Sequence, residues 1–350
     1  MSLKDEIFEQ PNVLQRLIDT QWSTVQTIAQ DLKQRQDTDR RIDYVFLTAR
    51  GTSDHAGLYA KYLWGAHNQL PVALAAPSLF SVYRLPPRLD RALVVGISQS
   101  GQSPDIVSVL EEARRQGAPT LSITNAPDSP LAQASEWVID ASAGPELAVA
   151  ASKSYTAQLA AIAMLSVALD GDPGRFDALC RTPEALEQVL TADTAISQIA
   201  ERYRYMTQCV ILGRGYNYAT AYEWALKLKE LTYTVAAPYS SADFQHGPVA
   251  MVSEGFPVFA VMPQGAVFED LFGLIKQLKS EHKVELFILS NGSEALTLAD
   301  RAVALPDDLP EWLSPLVAIV PGQLFCYHLT KAKGYDTENP RMLNKITKTE

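Results

Sequence analysis

The sequence contains few of the residues that form disulfides or metal sites. It has three cysteines and five histidines among 350 residues. Cys180, Cys209 and Cys326 stand far apart among apolar neighbours, so we expect buried, unreactive thiols in a cytoplasmic protein. The histidines have no ligand spacing, so we expect no metal, and no motif calls for an organic cofactor.

Excess positive charge is also missing, since 30 Lys and Arg residues face 40 Asp and Glu residues. A nucleic-acid surface needs a basic patch, so we expect no nucleic-acid partner. The apolar run Leu159–Leu169 is too short to cross a bilayer. Met1–Gln10 carries four charged residues rather than an apolar signal core. We therefore expect neither a membrane partner nor a secretion signal.

What is present is a regular alternation of short apolar runs with amphipathic stretches. The first half predicts a series of strands, at Tyr44–Thr48, Val72–Ala75, Ala92–Ile97, Thr120–Thr124 and Trp137–Asp140. The second half repeats the plan at an offset of about 165 residues, which indicates duplication of one unit. Its predicted strands are Cys209–Leu212, Val258–Met262 and Glu285–Leu289. This pattern predicts an α/β fold of two tandem domains, each a doubly wound, mostly parallel sheet flanked by helices.

The same patterning predicts where the segments begin and end. Residues 1–40 form an N-terminal helical segment, helical over 3–36 with an interruption at Pro11. The first α/β domain covers 41–175 and the second covers 184–335, and the second begins with a helix predicted over Glu184–Tyr205. Residues 336–350 are left as a C-terminal tail.

One strand-to-helix turn is unusually rich in hydroxyl groups. The strand Ala92–Ile97 leads into Ser98-Gln99-Ser100-Gly101-Gln102-Ser103, and a helical pattern begins at Asp105. Free N–H groups and the positive end of a helix favour an anion, and serines add short donors. An ordinary turn with serine as the N-cap has the same local pattern. The corresponding turn of the second half, 262–267, has no serine, and this asymmetry favours a phosphate site in the first half only.

Six motifs, in this order and spacing, resemble one known family over nearly the whole chain. They are ARGTS at 49–53, SQSGQS at 98–103, VAASKSYTAQ at 149–158, EWALKLKELTY at 223–233, HGP at 246–248 and NPRMLNK at 339–345. The chain resembles proteins with two sugar-isomerase (SIS) domains, and in particular the isomerase half of glucosamine-6-phosphate synthase. It also resembles stand-alone deaminases of glucosamine 6-phosphate.

The resemblance assigns roles to residues of this chain. It implies a catalytic set in which Glu230 shuttles a proton between C1 and C2 and Lys227 contacts the sugar. In that set His246 opens the sugar ring from the neighbouring subunit, and Lys345 forms a Schiff base with the open-chain ketose. It also implies a tail, 336–350, that covers the active site, and a homodimer. The implied substrate-binding residues are Thr52, Ser53, Ser98, Gln99, Ser100, Ser103, Val149 and Ala150. The chemistry is coherent, because an aldose–ketose proton transfer needs a positioned base and an imine needs an amine.

The sequence also departs from the synthase pattern. Arg50 replaces a cysteine, Ala151 a serine, Asp243 a glutamate and Gln245 a lysine, and the first two changes resemble the deaminases. We expect no glutaminase chemistry, since the chain runs directly into the sugar domain. The favoured interpretation is an isomerase/deaminase that converts a hexosamine 6-phosphate, with glucosamine 6-phosphate the leading candidate, to fructose 6-phosphate and ammonia.

Three alternatives stay open. One is a fructosamine-6-phosphate deglycase. Another is a synthase-like isomerising aminotransferase without its own glutaminase. The third is a non-catalytic sugar-phosphate sensor, although a sensor would be expected to lack Glu230, His246 or Lys345, and all three are present.

Overall fold

The computed structural model describes residues 2–35 and 41–345. Parts of the predicted N-terminal segment (1 and 36–40) and of the predicted tail (346–350) lie outside the described residues. The chain divides into two compact units. The described residues of Asn12–Glu146, Lys153–Arg181 and Asn344–Glu350 form one unit, called the loop unit because it contains 98–103. Those of Met1–Pro11, Leu147–Ser152 and Thr182–Leu343 form the other, called the base unit because it contains Glu230.

The loop unit is built on a five-stranded parallel sheet of order β2-β1-β3-β4-β5. Its strands are β1 (Tyr44–Thr48), β2 (Val72–Leu74), β3 (Ala92–Ser98), β4 (Thr120–Thr124) and β5 (Trp137–Asp140). Its helices are α2 (Gln10–Arg35, whose first two residues belong to the base unit), α3 (Thr52–Asn68), α4 (Ser78–Ser81), α5 (Pro104–Arg115), α6 (Pro130–Gln133), α7 (Lys153–Asp170) and α8 (Pro173–Cys180). The central strand β3 is buried from Ala92 to Ile97, as expected of a parallel strand with both faces covered.

The base unit has a second five-stranded parallel sheet, of order β10-β9-β8-β6-β7. Its strands are β6 (Gln208–Gly213), β7 (Val235–Ser240), β8 (Pro257–Val261), β9 (Glu285–Ser290) and β10 (Arg301–Ala304). Its helices are α1 (Leu3–Phe8), α9 (Thr182–Leu190), α10 (Asp193–Arg202), α11 (Tyr218–Lys227), α12 (Ser241–Gln245), α13 (Phe268–His282), α14 (Ser293–Leu298) and α15 (Ser314–Ala332). Read from β7, the strand order equals that of the first sheet, so the predicted fold class is confirmed.

Two details differ from the sequence-based prediction. The helix predicted over Glu184–Tyr205 is wrong as a single element, because the chain turns at Thr191 and Ala192 between α9 and α10. Cys180 is exposed, so the prediction that it is buried is wrong. It is the last residue of α8, where half of the helix surface faces solvent. Cys209 and Cys326 are buried as predicted, and burial raises the pKa of both thiols.

One helical segment of the base unit has the length and composition of a membrane span. The 22 residues Glu311–Ala332 are long and apolar enough to cross a bilayer, with a mean hydropathy of 1.2. However, 89% of the most apolar 18-residue stretch in this segment is buried inside the structure. This burial is typical of a core helix, which is apolar on all sides because protein surrounds it.

Candidate active site

The hydroxyl-rich loop lies at the point of the first sheet where ligands of such folds bind. After β1 the chain crosses to β2, and after β3 it crosses to β4 on the opposite side. The carboxyl ends of β1 and β3 therefore form a topological switch point, where a crevice opens in doubly wound sheets. ARGTS at 49–53 follows β1 and SQSGQS at 98–103 follows β3, so both predicted motifs border that crevice.

Hydrogen bonds fix the path of this loop. The Ser98 hydroxyl accepts from the Gly101 N–H at 3.1 Å, and the Asn125 N–H donates to the Gln99 carbonyl at 3.2 Å. Gly101 has φ +61°, and a Cβ there would overlap the Ser129 side chain. Only glycine satisfies both conditions.

Ser103 is the N-cap of α5, and its side chain makes no capping hydrogen bond. An N-cap serine that served only the helix would accept from an N–H of the first turn. The alternative interpretation of this turn, an ordinary serine-capped helix start, is therefore not what the loop unit shows. The Ser103 hydroxyl is half-buried at the positive end of a twelve-residue helix, where an anion is stabilised.

The turn after β1 is tied to the same helix. Arg50 Nε donates to Asp105 Oδ2 at 2.8 Å, and Asp105 is wholly buried in the first turn of α5. Ser53 is 7% exposed and its hydroxyl accepts from the Gln158 amide at 3.1 Å. Ser53 and Gln158 both belong to motifs of the predicted site.

The equivalent turns of the base unit are closed by the protein itself. Arg214 pairs with Asp270 in α13, which repeats the pairing of Arg50 with Asp105. The Ala266 N–H donates to a Glu311 carboxylate oxygen at 2.7 Å, and a Cβ on Gly265 would collide with that carboxylate. A carboxylate of the protein itself thus fills the turn that corresponds to 98–103, and this gives a physical reason for the missing serines.

The predicted base lies in the base unit beside two further charges. Lys227 ends α11, and Glu230 lies in a π-helical turn, Leu228–Thr232. Such turns are rare and occur often at functional sites. Lys227 Nζ lies 2.7 Å from Glu230 and 3.3 Å from Glu223. The structure therefore brings Lys227 and Glu230 together as their spacing of three residues predicts.

Glu223 is a site residue that the sequence analysis missed. Its side chain is wholly buried, that of Lys227 is 3% exposed, and that of Glu230 is 22% exposed. Burial by itself lowers the pKa of Lys227, but the two carboxylates outweigh it and raise the pKa above its ordinary value. Lys227 therefore remains an ammonium ion and cannot act as a base or as an imine-forming amine. The available signal was the spacing of Glu223, four residues before Lys227 on one helix face.

Lys345 has a different environment, in the loop unit. Its Nζ lies 2.8 Å from Glu146 Oε2, and the lysine side chain is 24% exposed whereas that of Glu146 is wholly buried. Ser154 donates to the same carboxylate from its hydroxyl at 2.8 Å and from its N–H at 3.0 Å. Lys345 is thus held against the motif VAASKSYTAQ. Glu146, which precedes that motif, is a second residue that the sequence analysis missed.

His246 is the predicted residue that stands apart from these groups. It is exposed at the end of α12, and its N–H donates to the Asp243 carbonyl at 3.1 Å. Gly247 follows with φ +134°, a backbone conformation that favours glycine. The histidine therefore lies on the surface of the base unit, at a turn.

Comparisons with known proteins agree with this architecture. A model of the SIS domain matches residues 40–168 and again 206–331. An isomerizing glutamine–fructose-6-phosphate aminotransferase of Thermus thermophilus is 35% identical, over 99% of this chain and 58% of that protein. The chain thus spans a little over half the length of such curated relatives.

Solved structures extend the comparison. The C-terminal domain of glucosamine-fructose-6-phosphate aminotransferase from Francisella tularensis is 28% identical with a TM-score of 0.87, covering 97% of this chain and 98% of that one. Glucosamine-6-phosphate deaminase of Thermotoga maritima has the same fold, with a TM-score of 0.76 at 22% identity over all of both chains.

Proposed function

This chain belongs to the SIS domain family, and we propose that it is a sugar-phosphate isomerase that deaminates a hexosamine 6-phosphate. The leading substrate is glucosamine 6-phosphate, and the products are fructose 6-phosphate and ammonia. The observation that carries the proposal is the cluster of Glu230, Lys227 and Glu223. It places a partly exposed carboxylate 2.7 Å from a buried ammonium, as a proton shuttle beside a developing enolate requires.

The reaction divides into steps that these residues can perform. His246, from a neighbouring subunit, opens the pyranose ring. Glu230 then takes the proton from C2 and returns it to C1, which converts the 2-amino aldose into a ketose imine. Lys227, as a fixed ammonium, stabilises the negative charge on the sugar oxygen in the transition state.

The last step removes nitrogen. The amine of Lys345 attacks C2 of the imine and expels ammonia, and water then hydrolyses the resulting Schiff base to the free ketose. Lys345 must lose a proton before it attacks, and the Glu146 carboxylate 2.8 Å away is placed to accept it. One water is consumed for each ammonia released, so the reaction needs no donor of nitrogen.

The loop 98–103 supports the phosphate end of the proposal. Ser98, Gln99, Ser100 and Ser103 border the crevice at the switch point, with Thr52 and Ser53 across from them after β1. Val149 and Ala150 would line the sugar, Val149 with its half-exposed side chain and Ala150, which is 3% exposed, with its backbone. We place the enzyme in the cytoplasm, acting as a homodimer on a free sugar phosphate.

A deglycase that acts on a fructosamine 6-phosphate is the second candidate. Ala151 is half-exposed and has a methyl group where the synthase pattern has a serine, so it leaves more room for a substituent on the substrate nitrogen. The phosphate loop and the base would act in the same way.

The experiment is an ammonia-release assay with purified protein. Glucosamine 6-phosphate, galactosamine 6-phosphate and a fructosamine 6-phosphate are supplied separately, and fructose 6-phosphate with ammonium chloride tests the reverse reaction. Ammonia and a ketose 6-phosphate in equal amounts from an amino sugar support the deaminase. The ketose is fructose 6-phosphate from glucosamine 6-phosphate and tagatose 6-phosphate from galactosamine 6-phosphate, because C4 does not react. Amine release from the fructosamine alone supports the deglycase instead. Thermal stabilisation by these sugars without turnover contradicts both and supports a sensor.

A further inference from the structure

A buried carboxylate outside the proposed mechanism lies in the N-terminal helix. Glu6 is wholly buried in α1, a six-residue helix that begins with a capping box of Ser2 and Asp5. A carboxylate is rarely found fully buried, because loss of water destabilises its charge unless hydrogen bonds replace the water. Its partners therefore indicate what it does.

Those partners include two consecutive backbone N–H groups. Glu6 Oε1 accepts from the N–H of Leu147 and from the N–H of Ala148, the latter at 3.2 Å. Hydrogen bonds to a charged acceptor are among the stronger ones in proteins. Leu147 and Ala148 begin the stretch Leu147–Ser152, which has neither helix nor strand structure and which belongs, like Glu6 and Glu230, to the base unit.

The far end of this stretch is held by a second contact. The Gln323 amide donates to the Ser152 carbonyl at 3.4 Å, and the Gln10 amide donates to Gln323 Oε1 at 2.9 Å. Both glutamines are buried. The beginnings of α1 and α2, together with α15, thus hold both ends of Leu147–Ser152.

Between these ends, side-chain exposure alternates. Ala148, Ala150 and Ser152 are at most 3% exposed, whereas Val149 and Ala151 are half-exposed. The stretch bends at Ala148–Ala150 and pairs with no strand in the described part of the chain, so the contacts at its two ends hold this order of buried and half-exposed side chains. A shift by one residue would exchange the buried and the half-exposed positions.

We propose that Glu6 is a positioning residue that sets the register of Leu147–Ser152 and thereby presents Val149 and Ala151 to the sugar. This inference rests on the proposed function, in which this stretch lines the substrate. An apolar residue at position 6 could fill the same space, but it could not select these two N–H groups over their neighbours. The N-terminal helix is then part of the substrate-binding machinery of the base unit.

The test uses the full chain with the substitutions Glu6→Ala and Glu6→Gln. Ile7→Ala is the matched control, because Ile7 is also wholly buried on α1 but its side chain has no polar atom to bond the stretch. Hydrogen exchange at the amides of Leu147 and Ala148 reports directly on their hydrogen bonds to Glu6. Steady-state kinetics separate KM from kcat, and the melting temperature reports general destabilisation.

For Glu6→Ala we expect roughly tenfold to hundredfold faster exchange at those two amides, as loss of a charged hydrogen-bond partner implies. We also expect KM for the sugar to rise by a similar factor, while inorganic phosphate binds as in the wild type. Glu6→Gln keeps an acceptor oxygen, so both effects should be smaller. If Glu6→Ala does not fold, Glu6→Gln provides the test instead. Ile7→Ala should lower the melting temperature and leave both readouts unchanged.

The positioning role is overturned if an active Glu6→Ala protein differs from the wild type only in melting temperature, as Ile7→Ala does. A wild type that turns over none of the sugars overturns the proposed function instead. The two failures are therefore distinguishable.

Discussion

At the scale of single residues, the buried charges determine what each lysine can do. Lys227 is enclosed by Glu223 and Glu230 and keeps its proton, whereas Lys345 is partly exposed and faces the carboxylate of Glu146. One lysine is therefore suited to electrostatic stabilisation and the other to imine formation. The sequence shows two lysines, and only their surroundings separate the roles.

Glu230→Gln tests the proton shuttle. Glutamine keeps an oxygen that can accept from Lys227 but cannot carry a proton between carbons, so we expect kcat to fall about 10²- to 10⁴-fold with little change in KM. Turnover is measured by ammonia release and folding by the melting temperature. A variant that retains wild-type kcat would remove Glu230 from the mechanism.

Lys227→Met tests the charge cluster. It leaves the buried Glu223 without its cation, and we expect a loss of about 3–5 kcal/mol in the free energy of unfolding, together with loss of activity. The exposed Lys229 offers a matched control, since Lys229→Met should change neither. Urea denaturation measures the difference. A further Glu223→Leu substitution should recover much of the stability but no activity.

The same cluster gives the sign of a pH dependence. The folded-state pKa of Lys227 is raised above 10.5, so its contribution to stability is fully present below pH 10.5 and is lost as the pH rises through the folded-state value. The unfolding free energy of the wild type should therefore fall above pH 10.5 more steeply than that of Lys227→Met. Parallel curves would contradict this.

At the scale of elements, each copy of the fold has its own topological switch point, and the two switch points are lined differently. In the loop unit the turn after β3 is lined by serines, whereas in the base unit the turn after β8 is filled by Glu311. In each copy an arginine after the first strand pairs with an aspartate in the first turn of a helix, Asp105 or Asp270. Both units thus keep the arginine–aspartate pair, whereas the two turns differ in the side chains that line them.

Gly101→Ala tests the phosphate loop. A methyl group there must displace Ser129 or the loop, and alanine at φ +61° is strained. We expect affinity for the sugar phosphate to fall at least tenfold, as judged by calorimetry. Gly117→Ala is the matched control, because Gly117 has φ +80° but open space around its Cβ position. It should cost about 1 kcal/mol of stability and leave binding intact. Equal binding by both variants would argue against the loop as the phosphate site.

At the scale of the whole molecule, the exposed position of His246 supports action across an interface. If His246 serves a neighbouring subunit, two different inactive variants can restore a site in a mixed dimer. We expect His246→Ala and Glu230→Gln to be inactive alone and to recover about a quarter of wild-type activity after unfolding and refolding together, as random pairing predicts. Ammonia release measures recovery. An active monomer in sedimentation, or no recovery from a mixture shown to contain mixed dimers, would contradict the shared site.

The sequence by itself determined the architecture and most of the candidate residues. Periodicity located eight of the ten described strands within one residue, because a buried parallel strand must be apolar along its length. It missed the edge strands β7 and β10, which are less buried. The repeat offset predicted two copies of the fold. The presence of serines in only one of the two corresponding turns predicted a single phosphate loop. Glu230, Lys227, His246 and Lys345 were assigned through the resemblance to the SIS family, and their roles remain predictions.

Only the tertiary structure decided which charges meet. No local pattern predicted that Glu146 and Glu6 are buried, since an isolated glutamate is normally solvated, whereas Glu223 at least stands at helical spacing from Lys227. Their partners lie 199 residues away for Glu146 and 141 for Glu6. Burial of a carboxylate depends on a donor that folding brings from elsewhere in the chain. Such pairs are therefore absent from any window of sequence and become evident only when the chain is folded.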